Sequence, residues 1–404
     1  MDKQARGTSV PFSHDDAGGR HLVDPEILLD IPVQAQALAK LSSRELNRYR
    51  RARTLLASGE GAKALLRRNI PLTGLGTYEA LLAQSWAVRF DSPEEMVRLA
   101  KVAVEVSQRF NGKTSSKRIA DLQARAHGEL ANSFRAADRL RSAQRAFGEA
   151  YTCLQRGTGD PHLKARLFDL EASLLGTLRE FPLALHRLSS LRSLYLELDE
   201  PHLSGRAATI QALYTFYSGQ AEIAIPINEE GIALIDRERD PALFMGALHN
   251  HLLFLVDLKL YPKAVRVLFD NRRNLIYRDR ISALRLRGIE GRINYGLGNL
   301  ISAEMAFREV KEGLTDAGMS FFAALIALEL AMVLKSLNKS SEALQEVIAA
   351  REIFLAFEIY REYLGSVIFL EECFLRGEAT AELIEATVAQ INRKWVQVGP
   401  GRMQ

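Results

Sequence analysis

The stretch Leu130-Ala131-Asn132-Ser133-Phe134, followed nine residues later by Ala143-Gln144-Arg145-Ala146-Phe147-Gly148-Glu149-Ala150, decides how the chain is read. Small and large apolar residues recur in both segments at helical spacing, which suits two antiparallel helices packed face to face. Ala131 lets the first helix approach its partner closely, Phe134 and Phe147 fill the space between, and Ala143 and Ala150 line the second helix. One such hairpin cannot bury its own apolar face, so it needs neighbours of the same kind. The chain supplies them. The Ala143 slot is refilled by Ala184, Ala224, Ala264, Ala303 and Ala343, at spacings of 41, 40, 40, 39 and 40.

Working outward, the helix starts repeat with the same period. Asp160-Pro161-His162-Leu163, Glu200-Pro201-His202-Leu203 and Asp240-Pro241-Ala242-Leu243 stand 40 residues apart. Proline suits the first helical position because its missing N–H is one the helix could not pair, and the acid before it offsets the positive end of the helix dipole. Phe181-Pro182 and Tyr261-Pro262 occupy one slot and start the second helix of their hairpins, and Asp91-Ser92-Pro93-Glu94-Glu95 starts another. No segment alternates with period two between hairpin turns, so no strand is expected. The reading is an all-α stack of about nine hairpins, with first helices beginning near 44, 77, 117, 161, 201, 241, 280, 320 and 359. The earliest runs from Arg44 to Asn69 around Gly59-Glu60-Gly61, and the last, Tyr360 to Trp395, loses the alanine slot and carries more charge, as a terminal cap does. Residues 1–24 read as a disordered tail, with a helix start at Asp24-Pro25-Glu26 that Pro32 soon interrupts. Residues 25–398 read as a single solenoid, and 399–404, opening on Gly399-Pro400-Gly401, as a C-terminal tail.

Bulk properties bound the function classes. With 53 Lys+Arg against 49 Asp+Glu, the formal charge of +4 is too small to point to wholesale nucleic-acid binding, and no specific nucleic-acid contact is expected. Cys153 and Cys373 fall in apolar-periodic segments far apart in the array, as small core residues of a protein in a reducing compartment would. Met1 to Arg20 lacks a secretory-type apolar core, and the run Phe321 to Leu334, broken by Glu329, is too short for a membrane span. The expectation is a cytoplasmic protein without a membrane partner. An exposed terminal helix offers one route to pairing two chains.

The recurring slots resemble the tetratricopeptide repeat, whose consensus has a small residue at its eighth position, an aromatic at the eleventh, Ala at the twentieth, and aromatic and Ala four and seven further on. Ala131, Phe134, Ala143, Phe147 and Ala150 match these in order; Ala172, Ala212, Gly291 and Ala331 fill the eighth position of other copies, and Phe307 the twenty-fourth. The likeness spans roughly residues 44 to 395. Two departures stand out: the period is 40, not the usual 34, and the family's Trp at the fourth position is missing. Longer repeats of this sort look like the regulatory arrays of large bacterial transcription activators and peptide-sensing regulators. The resemblance implies a right-handed α-solenoid superhelix with a concave groove lined by first helices. Carried onto this chain, one groove position reads Arg125, Arg166, Arg206, Gly246, Arg285 and Leu325, a basic ladder with Asn132, Arg135, Arg292 and Lys335 nearby. Such a ladder is either a track for acidic side chains or a terminal carboxylate, or a set of pairs with acids on adjacent helices that remain solvated. At mid-groove Leu213, Phe216, Tyr217, His249, Leu253 and Asp257 form an apolar patch that either receives a hydrophobic side chain or is buried between the long helices.

Motifs for chemistry fail on spacing. His249-Asn250-His251 puts two histidines on different helix faces, so no metal is expected. His162 and His202 recur because the repeat does. Gly112-Lys113-Thr114 has Ser107 where a phosphate loop needs its first glycine, and Gly296-Leu297-Gly298 reads as a turn between helices. Glu371-Glu372 are adjacent and so do not share a face. No nucleophile, base and orienting group come together. The reading is therefore a non-catalytic scaffold without a cofactor, binding a peptide or partner-protein segment. The alternative is a signal-sensing module that binds a peptide or small ligand and controls a transcription factor, through a partner because no DNA-reading helix pair is present.

Overall fold

Proline and small capping side chains place the helices where the sequence predicts them. The computed structural model describes residues 38–39, 41–60, 74–89, 91–110, 115–272, 279–356 and 361–398. The two tails, the helix start at Asp24 and its interruption at Pro32, the Gly61 side of the first turn, Gly112-Lys113-Thr114 and Gly399-Pro400-Gly401 lie outside the described residues. Among those described there is no strand.

The helices gather into two units. The first, within residues 25–275, contains α1 (Ser43–Leu55, continued by a π-helical turn Leu56–Glu60), α2 (Leu75–Ala87), α3 (Pro93–Gln108), α4 (Ser116–Ala136) and α5 (Leu140–Gln155). It continues with α6 (Pro161–Thr177), α7 (Phe181–Glu197), α8 (Pro201–Tyr217), α9 (Ala221–Leu234), α10 (Pro241–Asp257) and α11 (Tyr261–Asn271). The second, within residues 276–404, contains α12 (Arg280–Gly296), α13 (Leu300–Asp316), α14 (Ser320–Ser336), α15 (Ser340–Ala356), α16 (Arg361–Leu375) and α17 (Ala381–Val398).

Each start has a local cause. Asp160 and Asp240 cap α6 and α10, accepting from the N–H of His162 and of Leu243 at 2.9 Å each. Ser92 and Ser115 do the same for α3 and α4, whereas Glu200 before α8 makes no capping bond. After the first helix of a hairpin the chain turns through a left-handed residue: Asp138, Arg179, Gly219, Lys259, Gly298 or Asn338, with φ between 54° and 81°. The N–H of the next residue then donates back to a carbonyl five positions earlier, as in Glu180 to Leu175 (2.9 Å) and Asn299 to Asn294 (2.8 Å), which closes the helix end.

Within each unit consecutive helices pack antiparallel, and first helices also meet across repeats, α2 with α4, α4 with α6 and α8 with α10. The alanine slot sits at the joint. Ala143, Ala184, Ala224 and Ala264 in the first unit, and Ala303 and Ala343 in the second, are fully buried. The backbones of α8 and α9 also approach closely, where Gly205 and Gly231 face each other. A Cβ on Gly205 would meet the Gly231 carbonyl oxygen at 2.8 Å, and one on Gly231 would meet the Gly205 oxygen at 2.9 Å. Cys153 and Cys373 are buried thiols in separate units.

Candidate functional site

The first helices of the first unit carry the arginine ladder, and the ladder is braced from within. Arg125 on α4 donates from both terminal nitrogens to Glu79 on α2, at 2.7 and 3.0 Å. Arg166 on α6 grips Glu129 on α4 at 2.8 and 3.1 Å and reaches Asp169 on its own helix at 3.3 Å. Arg206 on α8 donates to the other oxygen of Asp169 at 2.6 Å. The acids Glu129 and Asp169 each lie 37 residues before their arginine, so one brace is repeated by the 40-residue period.

Burial and pairing fix the charge states. Burial is the largest single effect and opposes the charge of Arg125, but Glu79 together with Tyr78 and Glu129 outweighs it, and the guanidinium is held above its ordinary range. The same balance between burial and Asp169 raises Arg206, whose side chain is 1% exposed. Tyr195, bonded to Arg206, is pushed up to about 12, by burial first and by Asp169 second. Arg166 also lies 5.3 Å from the ring centroid of Trp86 on α2, reaching past α4 to do so. The ladder at Arg125, Arg166 and Arg206 thus pairs with acids on adjacent helices, as the second reading has it, but the pairs are buried between the helices and not solvated.

The patch expected at mid-groove is mostly interior. Leu213, Phe216, His249 and Leu253 are buried, and Phe216 stacks on Phe254 of α10 with ring centroids 4.8 Å apart. Tyr217 is half-buried and Asp257 exposed, so the patch meets solvent only at the ends of α8 and α10. Asn132 is buried, and its Oδ1 accepts from Nε and Nη2 of half-buried Arg135 at 3.1 and 3.0 Å. In the second unit Arg292 on α12 holds Glu329 on α14 at 2.8 and 2.6 Å. Lys335 donates to the Ser340 hydroxyl at 3.1 Å and sits over the Phe374 ring. Arg285 is half-buried and holds no carboxylate among the described residues.

His249, Asn250 and His251 are buried on α10, and among the described residues no group of three or more His, Cys, Asp and Glu is gathered to hold a metal. His202 is structural, its Nδ1 accepting from the Asp236 N–H at 3.1 Å. Among the described residues no helix is long and apolar enough to cross a membrane. Sequence reasoning missed the acids Glu79, Glu129, Asp169 and Glu329, although Glu129 and Asp169 stand one period apart, as Arg166 and Arg206 do. It also missed Arg179, whose signal was its place in the turn slot where two other repeats have glycine.

No family model matches the chain, and no curated protein matches it significantly. Solved structures do. The apo form of RapI aligns with TM-score 0.57 and 15% identity over 91% of this chain and 99% of its own. Aspartyl phosphate phosphatase F from Bacillus subtilis aligns with TM-score 0.55 and 14% identity, over 79% of this chain and 86% of its own. The fold is a tetratricopeptide-like helical solenoid. A Rap protein complexed with competence and sporulation factor is also similar, with TM-score 0.52 and 10% identity over 79% of this chain and 87% of that one. These identities extend the likeness to the tetratricopeptide-like fold and no further.

Proposed function

We propose that the chain is a cytoplasmic, non-catalytic interaction scaffold that holds a peptide or a partner-protein segment against its first helices. The observation that carries this reading is the brace. Guanidinium–carboxylate pairs between successive first helices fix that face before any ligand arrives, which reduces the ordering cost of binding. Contact then belongs to the polar and aromatic groups that reach solvent, Arg135 and Tyr217 in the first unit and Arg285 and Lys335 in the second. Arg125, Arg166, Arg206 and Arg292 support them from beneath.

Capture from a cell extract tests this on the full chain. Arg135→Glu and Tyr217→Ala, each with unchanged circular dichroism, are expected to lower recovery of the partner by about tenfold, equivalent to about 1.4 kcal/mol. Equal recovery by both variants would remove the first-unit face. A second reading, a sensor that binds a peptide or small ligand and switches a transcription factor through a partner, is favoured by the similar Rap protein solved with competence and sporulation factor. A ligand that raises the melting temperature in a screen of peptides and metabolites supports it. Because one similar protein is named an aspartyl phosphate phosphatase, the captured partner is also assayed for loss of aspartyl phosphate. Loss in proportion to the amount of chain would overturn the non-catalytic part.

A further inference from the structure

The left-handed turn slot after each first helix mostly holds residues that tolerate it: Gly219 and Gly298, Asn338 and Asp138. Arg179, between α6 and α7, takes it with φ of 60°, and of the other described copies of the slot only the one at Lys259 carries so long a side chain. A strained residue of this kind persists where something other than the turn itself requires it.

Its surroundings say what that is. The Arg179 guanidinium lies 5.8 Å from the ring centroid of Phe181 at the start of α7 and 5.5 Å from that of Tyr217 at the end of α8. The two rings stack on each other, 5.9 Å apart and inclined by 30°. Its Nε is buried without a partner, and among the described residues the group makes no hydrogen bond and faces no carboxylate. The ionisable groups around it are the phenols of Tyr217 and Tyr214, which do not offset its burial, so its pKa is drawn down. Elsewhere in this unit Arg125, Arg166, Arg187, Arg192 and Arg206 each hold a carboxylate. A guanidinium that lies near aromatic rings and holds no carboxylate of its own has N–H donors to offer a planar, two-oxygen acceptor.

We infer that Arg179, framed by Phe181 and Tyr217, is the site that receives a carboxylate of the bound segment. The carboxylate is either an acidic side chain or a C-terminus, both of which present the same two oxygens. This inference rests on the interaction-scaffold reading for its ligand and on the first unit alone for its geometry.

The variant is Arg179→Gly, which puts at this turn the residue found at the α8–α9 and α12–α13 turns. It is expected to fold and to melt at or above the temperature of the parent. On the 15N-labelled full chain, the Arg179 Nε–Hε resonance, identified by its loss in Arg179→Gly, is followed during titration with N-acetylglycine, with N-acetylaspartic acid α-amide and with N-acetylglycinamide. A saturable shift with a carboxylate and none with the neutral amide is expected; no shift with either carboxylate overturns the site. In parallel, the parent and Arg179→Gly are passed over immobilised octapeptide pools. One has free C-termini, one is amidated with Asp and Glu, and one is amidated without acids. The parent is expected to retain a carboxylate pool about tenfold better than the neutral pool, and Arg179→Gly to lose that preference. The favoured pool identifies the source, and equal preference in parent and variant overturns the inference. A carboxylate-dependent shift with no peptide retained from any pool keeps the site and counts against the scaffold reading.

Discussion

Asp169 on α6 accepts from Arg166 on its own helix and from Arg206 on α8, and its side chain is 1% exposed. Such a carboxylate is held by its partners and cannot be replaced by water. Asp169→Ala takes the carboxylate from Arg206 in the interior while Arg166 keeps Glu129, and breaking a buried pair in this way typically costs about 3–5 kcal/mol. A correspondingly lower urea midpoint is expected, whereas Asp316→Ala, which breaks the exposed pair with Arg280, should cost less than about 1 kcal/mol. A midpoint that hardly moves in Asp169→Ala would show that the brace is not structural. Buried histidines make a second prediction at this scale. Burial, against a smaller opposing effect of Glu229, holds His251 below its ordinary value of 6.5. His202 is lowered by burial and next by Arg239, with Asp240 and Asp236 opposing. The unfolded chain takes up these protons near 6.5, while the native chain resists them until lower pH. Their contribution is therefore intact above that value and lost as the pH falls through it. The melting temperature should drop between about pH 7 and pH 5.5, and His251→Leu should flatten part of the slope, read by scanning calorimetry at matched ionic strength.

Helix pairs expose a different kind of sensitivity. Gly205 and Gly231 allow α8 and α9 to touch backbone to backbone, so Gly231→Ala must push the helices apart. A loss of about 1–3 kcal/mol is expected, as for other overpacked interiors. Gly148 on the exposed face of α5 has nothing within 4 Å of a would-be Cβ. There Gly148→Ala should stabilise by about 0.5–1 kcal/mol through helix propensity alone, so the two substitutions are expected to differ in sign in one denaturation series. The elements themselves were largely legible in the sequence. First helices expected near 161, 201, 241, 280 and 320 begin at Pro161, Pro201, Pro241, Arg280 and Ser320, because proline, caps and the alanine slot are local signals. The use of each face was less legible. Whether Arg166 points to a ligand or to Glu129 depends on how closely a helix 37 residues earlier is packed, and periodicity does not report that distance. For the same reason the sequence leaves Phe216 and His249 open to either groove or core. Their long helices bury them, and only Tyr217 and Asp257 reach the rim.

At the scale of the whole molecule, stability passes from neighbour to neighbour and needs an end that can face water. In the second unit α16 and α17 provide Val367, Leu370, Ile384 and Ile391, all fully buried in one cluster with Phe354 and Val347 of α15. A chain ending at residue 356 would bare that surface. It is expected to bind an apolar dye and elute as oligomers, and a monodisperse product with native helicity would mean that the last two helices are dispensable. The placement of ion pairs has one more consequence. In the second unit the second helices are linked by pairs whose basic partners reach solvent: Arg308 with Glu342, Lys339, just before α15, with Glu304, and Lys311 with Glu346. The first-helix pairs of Arg166 and Arg206 in the first unit are sealed inside, and Arg292 with Glu329, their counterpart in the second, is largely buried too. Raising sodium chloride from about 0.1 M to about 1 M shortens the screening distance from ~10 Å to ~3 Å, which reaches the outer pairs and spares the inner ones. Amides of α13 and α15 should then exchange faster with deuterium while those of α6 and α8 keep their pace, so that brine alone distinguishes two stretches built from one repeating plan.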